Sequence, residues 1–165
     1  MVKSILDLLD KAQLTRPRSD IKNGTGPASS LFINASTSKP TASSGEAIVK
    51  IRAFGLNRMD LLQREGKYPV PPQAPKTLGV ELSGTIESLG SNVKDGFKVG
   101  DEVFGLAYGG AYAEHIAVNT HMLLHKPSHL GWEEAAGIPE VRHTSQTLQW
   151  ICYLANIQIA NRNDK

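Results

Sequence analysis

The sequence is short of cysteine and of charge imbalance, and each shortage closes off a class of protein. One cysteine, Cys152, among 165 residues excludes an internal disulfide framework and a cysteine-rich zinc lobe, and it fits a reducing compartment. The formal net charge is only +2. No basic stripe gathers that charge, so neither nucleic acid nor an anionic membrane surface is an expected partner. No apolar run approaches the ~20 residues of a membrane span. The opening MVKSILDLLDKAQL is broken by Asp7 and Asp10, which argues against a signal or transit peptide, and cytoplasmic residence is the expectation. A dinucleotide fingerprint is lacking too: GTGPAS at 24–29 has no third glycine, contains Pro27 and opens no helix.

What is present reads as short strands. Hydrophobic residues make up 40% and charged residues 21%, the balance of a soluble globular chain with a core to bury. Residues 4–14 read as a frayed extension, with a short amphipathic helix as the alternative, Ser4 its cap and Ile5, Leu8, Leu9 and Ala12 on one face. Residues 15–30 are rich in Pro, Gly and Ser and read as a loop with turns. From Leu31 the period changes. LFIN is a short apolar strand, and EAIVKIRAF alternates, with Ala47, Val49, Ile51 and Ala53 opposite Lys50 and Arg52. NRMDLLQREGKY is one or two helical turns, with Asn57 as cap, Asp60 three residues on and Gly66 as terminator. The prolines of YPVPPQAPK forbid helix and central strand. LSGTIESLG, VGDEVFGLA, AYAEHIAVN and MLLHKP are further strands, and WEEAA a short helix. Many short strands with Gly and Pro between them predict a mainly β fold with short helices, a barrel or a sandwich.

The histidines do not make a metal site on this pattern. His121, His125 and His129 are four apart, but Pro127 opposes a helix there, and on a strand that spacing is too wide for one ion. Cys152 has no second cysteine to form a CxxC pair and reads as a buried or idle thiol.

FGLNRMDLLQREGKYPVPP, LGVELSGTIESLG, FKVGDEVFGLAYGGAYAEHIAV and WEEAAGIPE, in that order, resemble the N-terminal domain of the zinc-independent, zeta-crystallin-like quinone oxidoreductases of the medium-chain dehydrogenase/reductase superfamily. The resemblance runs over about residues 21–140. It implies a GroES-like barrel of the alcohol dehydrogenase N-terminal kind, and hydride transfer from NADPH to quinones or related small electrophiles. Zinc-dependent relatives carry histidine where this chain has Val80 and cysteine near Asn57, so the resemblance implies chemistry without a metal. It also implies the residues beside the nicotinamide: Asn57, Asp60 and Tyr68 for catalysis, Asn57 and Gln63 for the cofactor. Asn57 and Gln63 can hydrogen-bond to a carboxamide or a quinone oxygen. Tyr68 can stack on a flat ring or give a proton to the developing quinol oxygen. Asn57 and Asp60 serve equally well as helix caps, and Tyr68 as a packed loop aromatic.

The ends depart from the family. The expected division is a divergent extension at 1–20, the GroES-like domain at 21–140 and a divergent tail at 141–165. TRPRSD stands where a first strand belongs, so that strand is expected to be missing or replaced. The 25 residues after Glu140 are fewer than one βαβ unit uses, although Leu148, Ile151 and Leu154 at helical spacing could cover apolar surface. These features predict a truncated catalytic domain, inactive alone. Two other readings stay open: a binding or regulatory module that associates with a full-length relative, and a ring-forming co-chaperonin.

Overall fold

The computed structural model describes residues 17–93 and 96–142. The helical stretch at 4–14, the stripe Leu148, Ile151 and Leu154, and Cys152 lie outside the described residues. Among the described residues, seven strands and two short helices follow one another: β1 (Arg18–Ile21), β2 (Leu31–Asn34), β3 (Glu46–Phe54), α1 (Arg58–Arg64), β4 (Glu81–Leu89), β5 (Glu102–Leu106), β6 (His115–Asn119), β7 (Leu123–His125) and α2 (Trp132–Ala136). The class is the expected one, mainly β with short helices.

The main sheet has the order β6-β3-β4-β5-β7, all pairs antiparallel. β3 forms because its alternation suits a central position. Ala47 and Val49 are fully buried while Lys50 and Arg52 face solvent. Register shifts at Ile48/Val49 and Ile51/Ala53 bend it, as bulges do. The sheet is not closed by pairing between its edges, so the barrel expected from the sequence is an open one. Its curl follows from the chain. Only Thr120–Met122 separates edge strand β6 from edge strand β7. Four Cα–Cα steps reach roughly 14 Å, whereas the edges of a flat five-stranded sheet stand roughly 19 Å apart. The sheet must therefore wrap, and its concave face encloses Val49, Leu82, Ile86, Val103, Ile116 and Leu123.

α2 packs on β4 and β3 through Ala135 and Ala136, both buried. Ser83 Oγ donates to the Trp132 carbonyl at 2.6 Å. Lys126, its side chain 6% exposed, donates to the Leu130 carbonyl at 2.9 Å, pairs with Glu102 and sits over the Trp132 ring. That one ammonium fixes the turn that delivers α2 to the sheet.

One expectation fails. Residues 15–30 read as loop, yet Arg18–Ile21 is a strand paired with β2 in the register Arg18↔Asn34 to Ile21↔Leu31, and Ala28–Ser30 is a 3₁₀ turn. The first strand is thus present, and it begins before residue 21, across the expected domain boundary. RSDI has no strand pattern of its own. Its partners make it one: Ser19 N–H donates to Tyr112 O at 2.8 Å, and Glu114 N–H to Pro17 O at 3.1 Å, on the edge away from β2. Tertiary pairing here overrides weak local propensity.

Candidate functional site

The predicted residues divide between two places. Asn57 and Asp60 start α1. Asn57 N–H donates to Asp60 Oδ2 at 2.8 Å and Asp60 N–H to Asn57 O at 3.1 Å, a cap that closes the first helical turn. Gly66, at φ 73°, ends the helix as expected, with Lys67 N–H reaching back to Leu62 O. Asp60 does more than cap. It is 2% exposed, its Oδ2 also accepts the Tyr112 hydroxyl at 2.8 Å, and its Oδ1 accepts Gly79 N–H at 3.3 Å.

Behind Asn57 stands Glu81, the first residue of β4 and 1% exposed. Asn57 Nδ2 donates to its Oε1 at 2.8 Å, and the Glu140 amide donates to its Oε2 at 2.9 Å. A buried carboxylate is tolerated because both oxygens are satisfied. Room for it exists because residue 55 is glycine: a Cβ there would lie 2.0 Å from Glu81 Oε1. Tyr112 stacks at a tilt on Phe54, ring centres 4.7 Å apart. Burial, then the hydrogen bond and charge of Asp60, push its phenol well above the ordinary tyrosine value.

Gln63 and Tyr68 instead line a cavity of about 300 Å³, with Ile21, Thr25, Val70 and Lys76 among its other walls. One wall is the turn after β1. Arg64, 7% exposed, holds it to the end of α1: its Nη1 donates to Gly26 O at 2.9 Å, and Gly26 N–H returns to Arg64 O at 2.8 Å. A larger cavity, about 420 Å³, lies beside β6 and contains none of the four predicted residues. Pro75 contributes to both. The smaller one carries two of the four predicted residues, Gln63 and Tyr68, and is the candidate ligand pocket.

Sequence reasoning passed over Glu81, Tyr112 and Gly55. Glu81 had a signal, a lone acid between Val80 and Leu82 in an otherwise apolar strand start. Tyr112 had none, because its partner is 52 residues away. Among the described residues no group of three His, Cys, Asp or Glu side chains is placed to hold a metal ion. His121 sits in the turn between β6 and β7, and His125 lies on β7.

Residues 43–128, more than half the chain, match the alcohol dehydrogenase GroES-like domain. The chain belongs to this family. Among GroES-like domain relatives, the synaptic vesicle membrane protein VAT-1 homolog of Danio rerio is 38% identical over 123 residues, covering 74% of this chain and 25% of its own length. The human VAT-1 homolog-like structure superposes with a TM-score of 0.69 at 30% identity, over 76% of this chain and 40% of its own. The Escherichia coli quinone oxidoreductase, solved in complex with NADPH, gives 0.64 at 28% identity, over 73% and 36%. The chain thus spans about a quarter of the length of the curated VAT-1 relatives it matches. No helix among the described residues is long and apolar enough to cross a membrane.

Proposed function

We propose that this GroES-like domain forms the substrate side of an NADPH-dependent quinone reductase site that works without zinc and resides in the cytoplasm. The observation that carries the reading is the cavity of about 300 Å³ with Gln63 and Tyr68 on its wall. A cavity of that size takes one ring system and falls at the lower limit for ligand pockets. Its apolar walls suit a flat electrophile, and the E. coli quinone oxidoreductase supplies the family precedent.

The residues fit the nicotinamide end of NADPH and no more of it. Gln63 offers an amide to a carboxamide or a quinone oxygen, and Asn57, half-buried, stands at the start of the same helix. No strand, glycine loop and helix of the phosphate-binding kind occurs among the described residues, so among them pyrophosphate and adenosine have no holder. The bound nicotinamide supplies the hydride. What this chain would add is orientation, a wall whose apolar part is Ile21, Val70, Ala74 and Pro75, and the Tyr68 hydroxyl, which could give its proton to the quinol oxygen. The donor set speaks for chemistry without zinc: Val80 has no ligating atom, and the Asn57 amide is engaged with Glu81.

In isolation the chain is therefore a weak binder and a poor catalyst, and association with a full-length relative would supply the nucleotide grip. Titration calorimetry tests this. Reduced nicotinamide mononucleotide and NADPH should bind the isolated chain alike, at roughly millimolar strength, and Tyr68→Ala should weaken both. Micromolar NADPH binding would show a nucleotide site beyond the Tyr68 cavity. No binding of either ligand would overturn the reading.

A further inference from the structure

We infer that Glu81 is a positioning residue: its buried carboxylate sets the direction of the Asn57 amide and couples it to the backbone of Glu140, where the chain has left α2. Three segments far apart in sequence meet at this one group. Oε1 takes Asn57 Nδ2, and Oε2 takes the Glu140 amide. The carboxylate fits only because Gly55 lacks a Cβ, and the Gly55 N–H reaches the Glu81 carbonyl at 3.3 Å.

The direction of the Asn57 amide follows from one contact. Its Nδ2 donates to Glu81 Oε1, so the amide nitrogen faces the carboxyl group and the amide oxygen faces elsewhere. A ligand beside Asn57 therefore meets an amide whose orientation Glu81 has chosen. The second contact gives the arrangement reach. Residues 138–142 form a single π-helical turn beyond α2, and its Glu140 amide shares the carboxylate with Asn57. Moving that turn pulls on the group that orients Asn57.

This inference rests on the reading of Asn57 as facing a ligand, but its test needs none. In Glu81→Gln one carboxylate oxygen becomes an NH₂ group, so two donors compete for one acceptor. The side-chain NH₂ resonances of Asn57 should shift, and exchange of the Glu140 amide should quicken about ten-fold. Gly55→Ala, which displaces the carboxylate and keeps its charge, should move the same two signals. Ser83→Ala removes a buried bond on the same strand and should lower the melting temperature without moving either. If Glu81→Gln leaves both signals in place, or Ser83→Ala moves them equally, Glu81 is merely a buried acid and the inference falls. If the signals move together but reduced nicotinamide mononucleotide does not bind the wild type, the positioning role stands and the ligand reading fails.

Discussion

Tyr112 donates its phenol hydrogen to Asp60 Oδ2 across 2.8 Å, and Gly79 makes that contact sterically possible. The Tyr112 ring lies against residue 79, where a Cβ would stand 2.5 Å from ring Cδ1 and 2.8 Å from the Tyr112 backbone nitrogen. The pair links the 108–114 segment to the cap of α1, and so joins the strand side of the domain to the helix that carries Gln63.

Tyr112→Phe should therefore cost about 1 kcal/mol, and Asp60→Ala about 2–4 kcal/mol, because the second leaves the Asn57 amide, the Gly79 amide and the phenol without an acceptor. The double variant should cost less than the sum, with a coupling of at least about 0.5 kcal/mol. Urea unfolding of the four proteins measures this, and strict additivity would show that the contact carries no energy.

The same pair gives an alkaline signature. Burial and the charge of Asp60 raise the folded Tyr112 value above the unfolded one. The folded state then holds a proton that the unfolded state releases. The stabilisation is fully present below the unfolded value of about 10 and is lost as pH rises beyond it. Tyr112 should resist ionisation in the ultraviolet titration of the folded protein and ionise on unfolding. Tyr112→Phe should flatten the loss of stability above pH 10.

At the other end of the pH range, Glu87 behaves oppositely. Burial opposes its ionisation, but Lys39 and His115, both ion-paired with it, outweigh burial and hold the carboxyl below its usual value. A depressed value stabilises the fold above the unfolded carboxylate range, and the gain disappears as pH falls through the folded value. Glu87→Gln should reduce the slope of stability against pH below about 4.5, measured by urea midpoints at several acid pH values. An unchanged slope would mean the ion pairs are absent in solution.

Much of the fold was legible because it is written in short-range pattern. The alternation of EAIVKIRAF places β3 without error at its ends, and Asn57, Asp60 and Gly66 mark both ends of α1. RSDI was not legible, since its strand character comes from Tyr112, Pro17 and β2 rather than from itself. The site was half legible for the same reason. Asn57 and Asp60 follow a local cap rule, and Gln63 and Tyr68 came from family likeness. Glu81 and Tyr112 act through partners 24 and 52 residues away, and no periodicity encodes such meetings. Glycines 55 and 79 look like turn residues in the sequence, yet they are conspicuous in three dimensions for the side chains they make room for.

Gly79→Ala should test the steric role of residue 79. Residue 79 has φ 95°, where a Cβ is strained, and the ring of Tyr112 fills the space besides. Strain and clash together should destabilise by about 2–4 kcal/mol. In the double variant Gly79→Ala, Tyr112→Ala the clash with the ring is relieved while the backbone strain and the 2.8 Å approach to the residue 112 nitrogen remain, so the penalty of Gly79→Ala should be smaller there by about 1 kcal/mol. Equal penalties in both backgrounds would place the whole effect in the backbone.

The pocket wall makes the last prediction. Arg64 is buried, and its guanidinium holds the Gly26 carbonyl while also meeting Glu65 at 3.1 Å. Arg64→Met keeps the apolar stem and removes the donor fork, so Gly26 O loses its partner and the turn at 22–27 is released from α1. The amides of residues 23–26 should exchange faster by about ten-fold, corresponding to one lost bond, while those of β3 and β4 stay protected. Arg64→Lys should not restore protection, because a single ammonium on a shorter reach lacks the planar fork. If the turn keeps its protection in Arg64→Met, the reciprocal backbone bond from Gly26 N–H alone holds the wall, and ligand affinity in the Tyr68 cavity should then be indifferent to residue 64.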